Sequence, residues 1–218
     1  MGLTLYIGNK NYSSWSFRPW LAMKAANIAF EEVVIPLYTG ATDKQRILDV
    51  SPAGKVPVLT DGDVTVWDSI AIIEYLAEKF PGAQLWPQDP ASRAHARAIS
   101  AEMHGGFGAL RRECGMNIHR PLRAKELSEE ARENIARVQE IWTDCRKHYG
   151  RTGPFLFGAF TAADAMYAPV VHRFRTYAID ASPPVQGYME AMLAYPPFAE
   201  WTAQALAETL VIDRFETD

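Results

Sequence analysis

The chain has 218 residues, 48% of them hydrophobic and 22% charged, and it carries a net charge of −4. This length and composition are those of a folded globular protein with a sizeable core, and they exclude disordered, fibrous and coiled-coil classes. The acidic balance argues against nucleic acid as the main partner, and the lack of long apolar runs and of a signal-peptide pattern predicts a cytoplasmic protein outside the membrane.

The first third of the chain alternates between strand and helix patterns. Residues 3–8 are rich in β-forming side chains, and a polar loop leads from them to a helix that we expect to begin at about Ser16. A second buried strand is predicted at residues 31–37, and a weaker helical pattern follows near residues 42–50. This part of the chain is therefore predicted to begin β-α-β-α.

A hairpin and a helix complete this region. Two short strands flank Asp61-Gly62, a dipeptide typical of tight hairpin turns. Asp68 is a good N-cap for an amphipathic helix that ends near Phe80. The order βαβαββα is that of a thioredoxin-like domain, which we assign to residues 1–81.

The rest of the chain shows helical patterns only. Residues 81–90 are dense in proline and glycine, as expected of a linker between domains, and a helix is predicted at residues 91–114. Thr161 and Asp164 have the spacing of a capping box, in which each side chain bonds a free backbone N–H at the start of a helix. We therefore expect an all-helical second domain at residues 88–218.

Three local patterns favour structure over chemistry. The glycine-rich run at residues 105–108 follows no predicted strand, so we expect close helix packing there instead of a phosphate-binding loop. The five histidines lack the spacing of metal ligands and the two cysteines lack a CxxC pattern, so neither a metal site nor thiol redox chemistry is predicted. Tyr6 lies inside the first strand, which favours packing over activation of a nucleophile.

A pair of serines lies where the first loop enters a helix. Free N–H groups and the helix dipole favour a negative charge at the position of Ser13 and Ser14. A free thiol ionises near pH ~8.5, and a hydroxyl donor would favour its thiolate at neutral pH. Serines at helix starts are usually N-caps, and Ser16 is also a competent cap, so the serines by themselves leave both interpretations open.

Two further motifs suit a bound peptide. Val56-Pro57 begins the third strand and would present the backbone of Val56 to a peptide, although an ordinary X-Pro turn explains it equally well. Asp68 and Ser69 open a helix whose N–H groups and hydroxyl can hold a carboxylate, while the acid pairs with an ammonium group. The γ-glutamyl end of glutathione carries both groups, and helix capping is the alternative.

Four segments, in order, resemble the zeta class of cytosolic glutathione transferases. Residues 13–28, SSWSFRPWLAMKAANI, resemble the serine-containing signature of that class, and residues 51–80 are similar to the hairpin and following helix of the family. Residues 86–100 and 153–171 are similar to the start and to the capping-box helix of its second domain. The resemblance covers nearly the whole chain, and it implies a homodimer that uses glutathione as co-substrate and needs no metal.

The resemblance also implies roles for individual positions. It implies that the catalytic residues are Ser13, which activates the thiol, Ser14 and Arg18. It implies that glutathione contacts Trp15, Lys55, Val56, Pro57, Asp68 and Ser69. It implies an electrophile pocket that includes His104, Arg111, Met116 and Asn117.

The reaction implied by the resemblance is attack of the glutathione thiol on a small electrophile. Isomerisation of maleylacetoacetate or maleylpyruvate is the alternative, but Trp15 replaces the cysteine at the third position of the zeta signature and is expected to reshape the electrophile pocket. A third hypothesis is a non-catalytic interaction protein on the same scaffold, against which the presence of Ser13, Val56 and Ser69 argues.

Overall fold

The structure is a computed structural model that describes residues 2–216, apart from the side chains of residues 41 and 42. Its strands are β1 (Leu3–Ile7), β2 (Phe30–Val34), β3 (Val58–Asp61) and β4 (Val64–Trp67). Its helices are α1 (Ser14–Ala25), α2 (Ala41–Leu48), α3 (Ser69–Lys79), α4 (Pro90–Gly105), α5 (Gly108–Glu113), α6 (Glu129–Tyr149), α7 (Ala162–Thr176), α8 (Pro183–Ala194) and α9 (Pro196–Ala207). This order confirms the predicted thioredoxin-like domain followed by a helical domain.

The four strands form one mixed sheet in the order β2-β1-β3-β4. β1 runs parallel to β2, with Leu3 opposite Phe30, and antiparallel to β3, with Leu5 opposite Leu59. Leu5 and Ile7 are fully buried, and α1 and α3 pack together against this sheet. The loop that follows β1 therefore leads directly to the start of α1 at one edge of the core.

Helix α7 is the centre of the second domain. Nearly all of its side chains are buried, and it packs against α1 of the first domain as well as against α4. The predicted capping box is present: the Asp164 carboxylate accepts from the Thr161 backbone N–H at 2.8 Å, and the Thr161 side chain accepts from the Asp164 backbone. The contact between α7 and α1 fixes the start of α1 against the second domain.

The start of α1 differs from the prediction. The helix begins at Ser14 rather than near Ser16, so Ser13 is its N-cap residue. Ser16 lies in the first turn of the helix and is fully buried. The interpretation of Ser16 as the helix cap is therefore wrong.

The prediction of one helix over residues 91–114 is also wrong, because α4 and α5 are separate helices. Phe107, between them, adopts a left-handed backbone with φ of 59°. A Cβ at Gly106 would lie 2.8 Å from the carbonyl oxygen of Glu102, which only a residue without a side chain avoids. The glycine-rich run therefore ends one helix and redirects the chain, rather than allowing close helix packing.

In the part of the chain that the structure describes, no helix is both long and apolar enough to cross a lipid bilayer. Across the same residues, no three His, Cys, Asp or Glu side chains are grouped as metal ligands.

Candidate active site

A cleft of about 900 Å³ lies between the two domains. Its first-domain wall contains Tyr12, Ser13, Ser14, Trp15, Tyr38, Lys55 and Val56. Its second-domain wall contains Arg111, Met116, Arg173, Tyr177 and Phe215. The loops after β1 and before β3 thus face the end of α5, the last turn of α7 and residues 214 and 215 across one cavity.

Ser13 occupies the N-cap position of α1 without capping the helix. Its side chain makes no capping hydrogen bond, and its Oγ lies 2.7 Å from Oγ of Ser16. The Oγ of Ser16 also accepts a hydrogen bond from the Gly8 backbone N–H at 3.1 Å. Ser13 lines the cleft with 8% of its surface exposed, at the positive end of the α1 dipole. Ser14 beside it is half-buried and lines the same cleft.

The indole ring of Trp15 lies between two arginines. The guanidinium carbon of Arg18 is 4.3 Å from the ring centroid, and that of Arg111 is 4.8 Å away. Both distances are those of cation–π contacts. The His104 ring meets Trp15 edge-on at 5.1 Å. Trp15 lines the cleft, and Arg18 and His104 lie behind it.

Arg18 is a buried cation that forms no salt bridge among the described residues, and the nearby negative charge of Asp68 acts on it. Arg18 is 2% exposed, and its Nε and Nη1 atoms make no hydrogen bond within residues 2–216. Burial, with the nearby charges of Arg111 and Arg173, lowers its pKa to about 9. Because this value is still above neutral pH, Arg18 supplies positive potential near the start of α1.

The start of α3 offers groups that suit the γ-glutamyl end of glutathione. One oxygen of Asp68 caps α3, and the other lies 3.3 Å from Nε2 of His104. The Oγ of Ser69 is buried and has no hydrogen-bond partner in residues 2–216, which suits a ligand carboxylate at a helix N-terminus. The Val56–Pro57 peptide bond is cis, and Val56 lines the cleft while Pro57 is buried. The residues present therefore fit the tripeptide.

The cleft is positive although the chain is acidic. Among the described residues that line it, the basic ones are Lys44, Lys55, Arg111, Arg112, Lys125, Arg173 and Arg214, and the acidic ones are Asp43 and Glu113. Arg111 donates to the carbonyl of His104 at 3.0 Å, and Arg173 donates to the carbonyls of Cys114 and Arg111. Carbonyl oxygens hold a guanidinium without cancelling its charge. The second-domain wall therefore suits an anionic ligand.

The C-terminal segment, residues 212–216, closes one side of the cleft. The Phe215 ring lies 5.6 Å from the Tyr12 ring and 5.5 Å from the Tyr38 ring. The Glu216 carboxylate accepts hydrogen bonds from the Tyr12 hydroxyl and, at 2.9 Å, from Nδ2 of Asn117. Burial and the bond to Glu216 raise the pKa of Tyr12, so its hydroxyl stays protonated and keeps donating.

Two family models match this chain. The model described as "Glutathione S-transferase, N-terminal domain" matches residues 12–79, and that described as "Glutathione S-transferase, C-terminal domain" matches residues 125–204. Together they take in more than half of the chain. The chain belongs to the glutathione S-transferase family.

Relatives of this chain include zeta-class proteins. A probable maleylacetoacetate isomerase from Caenorhabditis elegans is 40% identical over 49% of this chain, and the match spans 48% of that protein's length. Glutathione S-transferase Z2 of Arabidopsis thaliana is 29% identical, with 80% of each chain covered. A solved glutathione transferase homolog from Burkholderia, with bound glutathione, has a TM-score of 0.71 at 24% identity and covers 95% of this chain and 100% of its own. The predicted zeta-like membership is confirmed.

The structure places the site residues predicted from the sequence in two groups. Those that line the cleft are Ser13, Ser14, Trp15, Lys55, Val56, Arg111 and Met116. Those outside its lining are Arg18, Pro57, Asp68, Ser69, His104 and Asn117. His104 contacts Trp15 and Asp68 from behind the cleft, and Asn117 holds Glu216.

Several cleft residues had no assigned role in the sequence analysis. They are Tyr12, Tyr38, Arg173, Tyr177 and Phe215. Arg173 carries no distinctive local signal, because basic residues are common in the last turn of a helix. No local pattern signals Tyr38 or Phe215, because only the fold brings them together.

Proposed function

We propose that this transferase holds glutathione along the first-domain wall and that the Ser13 hydroxyl donates a hydrogen bond to the glutathione sulfur. The position of the Ser13 hydroxyl carries the proposal. It faces the cleft at the N-terminus of α1, and its oxygen is not used as a helix cap. The orphaned Oγ of Ser69 and the cleft-lining Val56 support a place for the rest of the tripeptide.

These groups can supply the free energy needed to ionise the glutathione thiol at neutral pH. A thiol with a pKa near ~8.5 needs its pKa lowered by about two units to be mainly ionised at neutral pH, and each unit is worth about 1.4 kcal/mol. A hydrogen bond to a charged group contributes roughly 1.5–3 kcal/mol, and a helix N-terminus roughly 0.3–1 kcal/mol. Ser13 and the α1 dipole therefore suffice, with Arg18 adding positive potential.

The proposed reaction is conjugation of a small electrophile. The thiol proton passes to water, and the thiolate forms a bond from sulfur to the electrophilic carbon. In a substitution the leaving group departs with its electron pair, and in an addition a proton from water completes the product. Ser13 stabilises the anion before this step and releases it as the new bond forms.

Isomerisation of maleylacetoacetate or maleylpyruvate is the second candidate, and the basic second-domain wall favours it. Both compounds carry carboxylates, and Arg111 and Arg173 offer guanidinium groups without carboxylate partners among the described residues. The thiolate would add to the cis double bond, the resulting single bond would rotate, and expulsion of the thiolate would regenerate glutathione. The relative from Caenorhabditis elegans is named as a probable isomerase of this type. The bulk of Trp15 counts against it.

Two measurements test the proposal. Titration calorimetry with reduced glutathione should register binding, and a model aryl halide should be conjugated. Lack of binding would contradict the proposal and favour a non-catalytic interaction protein. A panel of the aryl halide, maleylacetoacetate and maleylpyruvate then separates conjugation from isomerisation by the ratio of their kcat/KM values.

The family resemblance further supports a homodimer in the cytoplasm, which we include in the proposal. In the proposed dimer the first domain of each chain packs on the second domain of its partner. Sedimentation at micromolar concentration should give twice the mass of the 218-residue chain. A monomer that is fully active would contradict this part.

A further inference from the structure

We infer that Ser16 is a positioning residue that directs the hydroxyl proton of Ser13. When a thiol bound at Ser13 becomes a thiolate, the hydrogen bond between the two hydroxyls reverses its direction. The inference rests on the proposed role of Ser13. Ser16 does not line the cleft and touches no reacting atom, so it acts only through Ser13.

Ser16 has a small and fully defined set of hydrogen-bond partners. Its Oγ is completely buried, lies 2.7 Å from Oγ of Ser13, and accepts the Gly8 backbone N–H at 3.1 Å. The backbone N–H can only donate, so the proton of Ser16 is free for the other partner. In the described structure the Ser13 hydroxyl donates to the Ser16 oxygen, and the same 2.7 Å separation also lets Ser16 donate to Ser13.

Two proton arrangements satisfy this geometry. In the first, Ser13 donates to Ser16, and the Ser13 oxygen presents only lone pairs to the cleft. In the second, Ser16 donates to Ser13, and the Ser13 proton is free to donate to a ligand. A thiol S–H needs an acceptor and suits the first arrangement, whereas a thiolate needs a donor and suits the second.

The second arrangement is a chain of donors that ends at the sulfur. The Gly8 N–H donates to Ser16, Ser16 donates to Ser13, and Ser13 donates to the thiolate. Each hydrogen bond in this chain polarises the next one, and the first donor of the chain is a fixed backbone group. When the thiol ionises, its proton goes to water, while the hydroxyl protons of Ser13 and Ser16 only rotate about their own C–O bonds. No atom of the protein gains or loses a proton.

The local packing holds the two serines at this distance. A Cβ placed on Gly8 would lie 3.2 Å from the Cβ of Ser13 and would overlap the side chain of Leu37. Glycine therefore lets β1 approach the start of α1 closely enough for its N–H to reach Ser16. Because Ser13 and not Ser16 is the N-cap residue, helix capping does not explain the position of the Ser16 hydroxyl.

The buried arginines near the serines stay charged near neutral pH. Arg18 lies behind Trp15, and the cations that line this part of the cleft are Lys55, Arg111, Arg173 and Arg214. Burial lowers the pKa of Arg18 to about 9 and that of Arg173 to about 10. Burial also lowers the pKa of His104, beside Asp68, from 6.5, and the pKa of Tyr12 is raised from 10.0. Between about pH 6.5 and 8.5, a titration in this site therefore reports mainly the bound thiol.

The test is the ultraviolet absorbance of the bound glutathione thiolate, followed against pH in wild type and in Ser16→Ala. We expect the pKa of the bound thiol to rise by about one unit in the variant, with unchanged affinity for glutathione above that pKa. The kcat/KM for an uncharged aryl halide should fall about tenfold at pH 6.5 and recover at high pH.

Two sets of variants control for packing. Ser100→Ala removes another fully buried hydroxyl outside this network, and the thiol pKa should not move. The side chains introduced by Ser16→Thr and Ser16→Val have the same shape, but only threonine keeps a hydroxyl donor. The bound thiol should therefore have a pKa about one unit lower in Ser16→Thr than in Ser16→Val. This pair decides the question if Ser16→Ala is poorly folded.

The outcomes separate this inference from the proposed function. If Ser13→Ala raises the thiol pKa and Ser16→Ala and Ser16→Val do not, the inference is wrong and the role of Ser13 stands. If glutathione fails to bind wild type, or Ser13→Ala leaves the thiol pKa unchanged, the proposed function is wrong and the inference is overturned with it. A raised thiol pKa in Ser13→Ala, Ser16→Ala and Ser16→Val supports both the inference and the proposed function.

Discussion

The two walls of the cleft use different chemistry. The first-domain wall includes aromatic rings and Lys55, and it also offers short, neutral groups, the hydroxyls of Ser13 and Ser14 and the backbone near Val56. The second-domain wall offers the long cations Arg111 and Arg173 and the aromatic rings of the helical domain. In the proposed function, the first-domain wall holds glutathione and the second-domain wall holds the electrophile.

The walls also differ in how their groups are held. Ser13 is held by local bonds within the loop after β1, including its N–H to the Asn9 carbonyl at 2.8 Å. Arg173 is held by a carbonyl 59 residues away in the chain, that of Cys114. Nearby residues therefore position the groups of the first-domain wall, whereas tertiary packing positions those of the second-domain wall. Substitutions in the two walls should therefore change different measured quantities.

The largest expected effect comes from removing the Ser13 hydroxyl from the first wall. Ser13→Ala should lower kcat/KM for an aryl halide by roughly 10²–10³-fold, the usual cost of losing one donor to a developing anion. Glutathione affinity should change little, because the groups near Ser69 and Val56 remain. Steady-state kinetics and calorimetry measure the two quantities. Ser14→Ala is the matched variant, and equal losses in the two variants would contradict Ser13 as the main donor.

The next effect concerns the scaffold of the second wall. Asp164→Ala removes the buried acceptor of the Leu156 and Thr161 N–H groups and should lower the free energy of unfolding by about 2–4 kcal/mol. Thr161→Ala, which keeps that acceptor, should cost about 1 kcal/mol. Chemical denaturation measures both. Turnover per folded molecule should persist, so an unchanged unfolding curve with lost turnover would show that Asp164 acts in the site.

A smaller effect tests the charge of the second wall. Arg111→Met should lower kcat/KM for maleylacetoacetate about tenfold, because a charged hydrogen bond to a carboxylate is lost. The value for an uncharged aryl halide should fall by less than about threefold. Arg112→Met is the neighbouring comparison, since Arg112 is exposed and paired with Glu130 at 3.2 Å, and it should lose less. Equal losses on both substrates would show that Arg111 only supports the fold.

The smallest effect concerns the C-terminal segment that joins the two walls. Glu216→Ala removes the acceptor shared by Tyr12 and Asn117 and should loosen Phe215 over the cleft. We expect KM for the electrophile to rise about two- to threefold, with the KM for glutathione unchanged, because Glu216 is exposed and water can replace it as the acceptor for both donors. Glu190→Ala, at an exposed site on α8, is the control. A larger change for glutathione than for the electrophile would contradict this role.

The sequence predicted well where a signal lies within a few residues. The hairpin at Asp61-Gly62, the Asp68 cap and the Thr161–Asp164 box are all present, because each depends on local hydrogen bonds. The sequence failed at residues 91–114, where apolar periodicity continued through a run of glycines that ends a helix. Periodicity reports which face is buried and says little about where one helix stops and the next begins.

The sequence by itself determined the βαβαββα order of the first domain, the family resemblance and the position of Ser13 where a loop enters a helix, since strand and helix patterns and caps are properties of neighbouring residues. Only the tertiary structure decided that Ser16 touches Ser13 instead of capping α1 and that Arg18 lies behind Trp15. It also decided that Tyr38 and Phe215 share one cavity. Such contacts depend on how β1, α1, α5 and α7 pack, because side chains distant in sequence meet only once the two domains have closed around a common core.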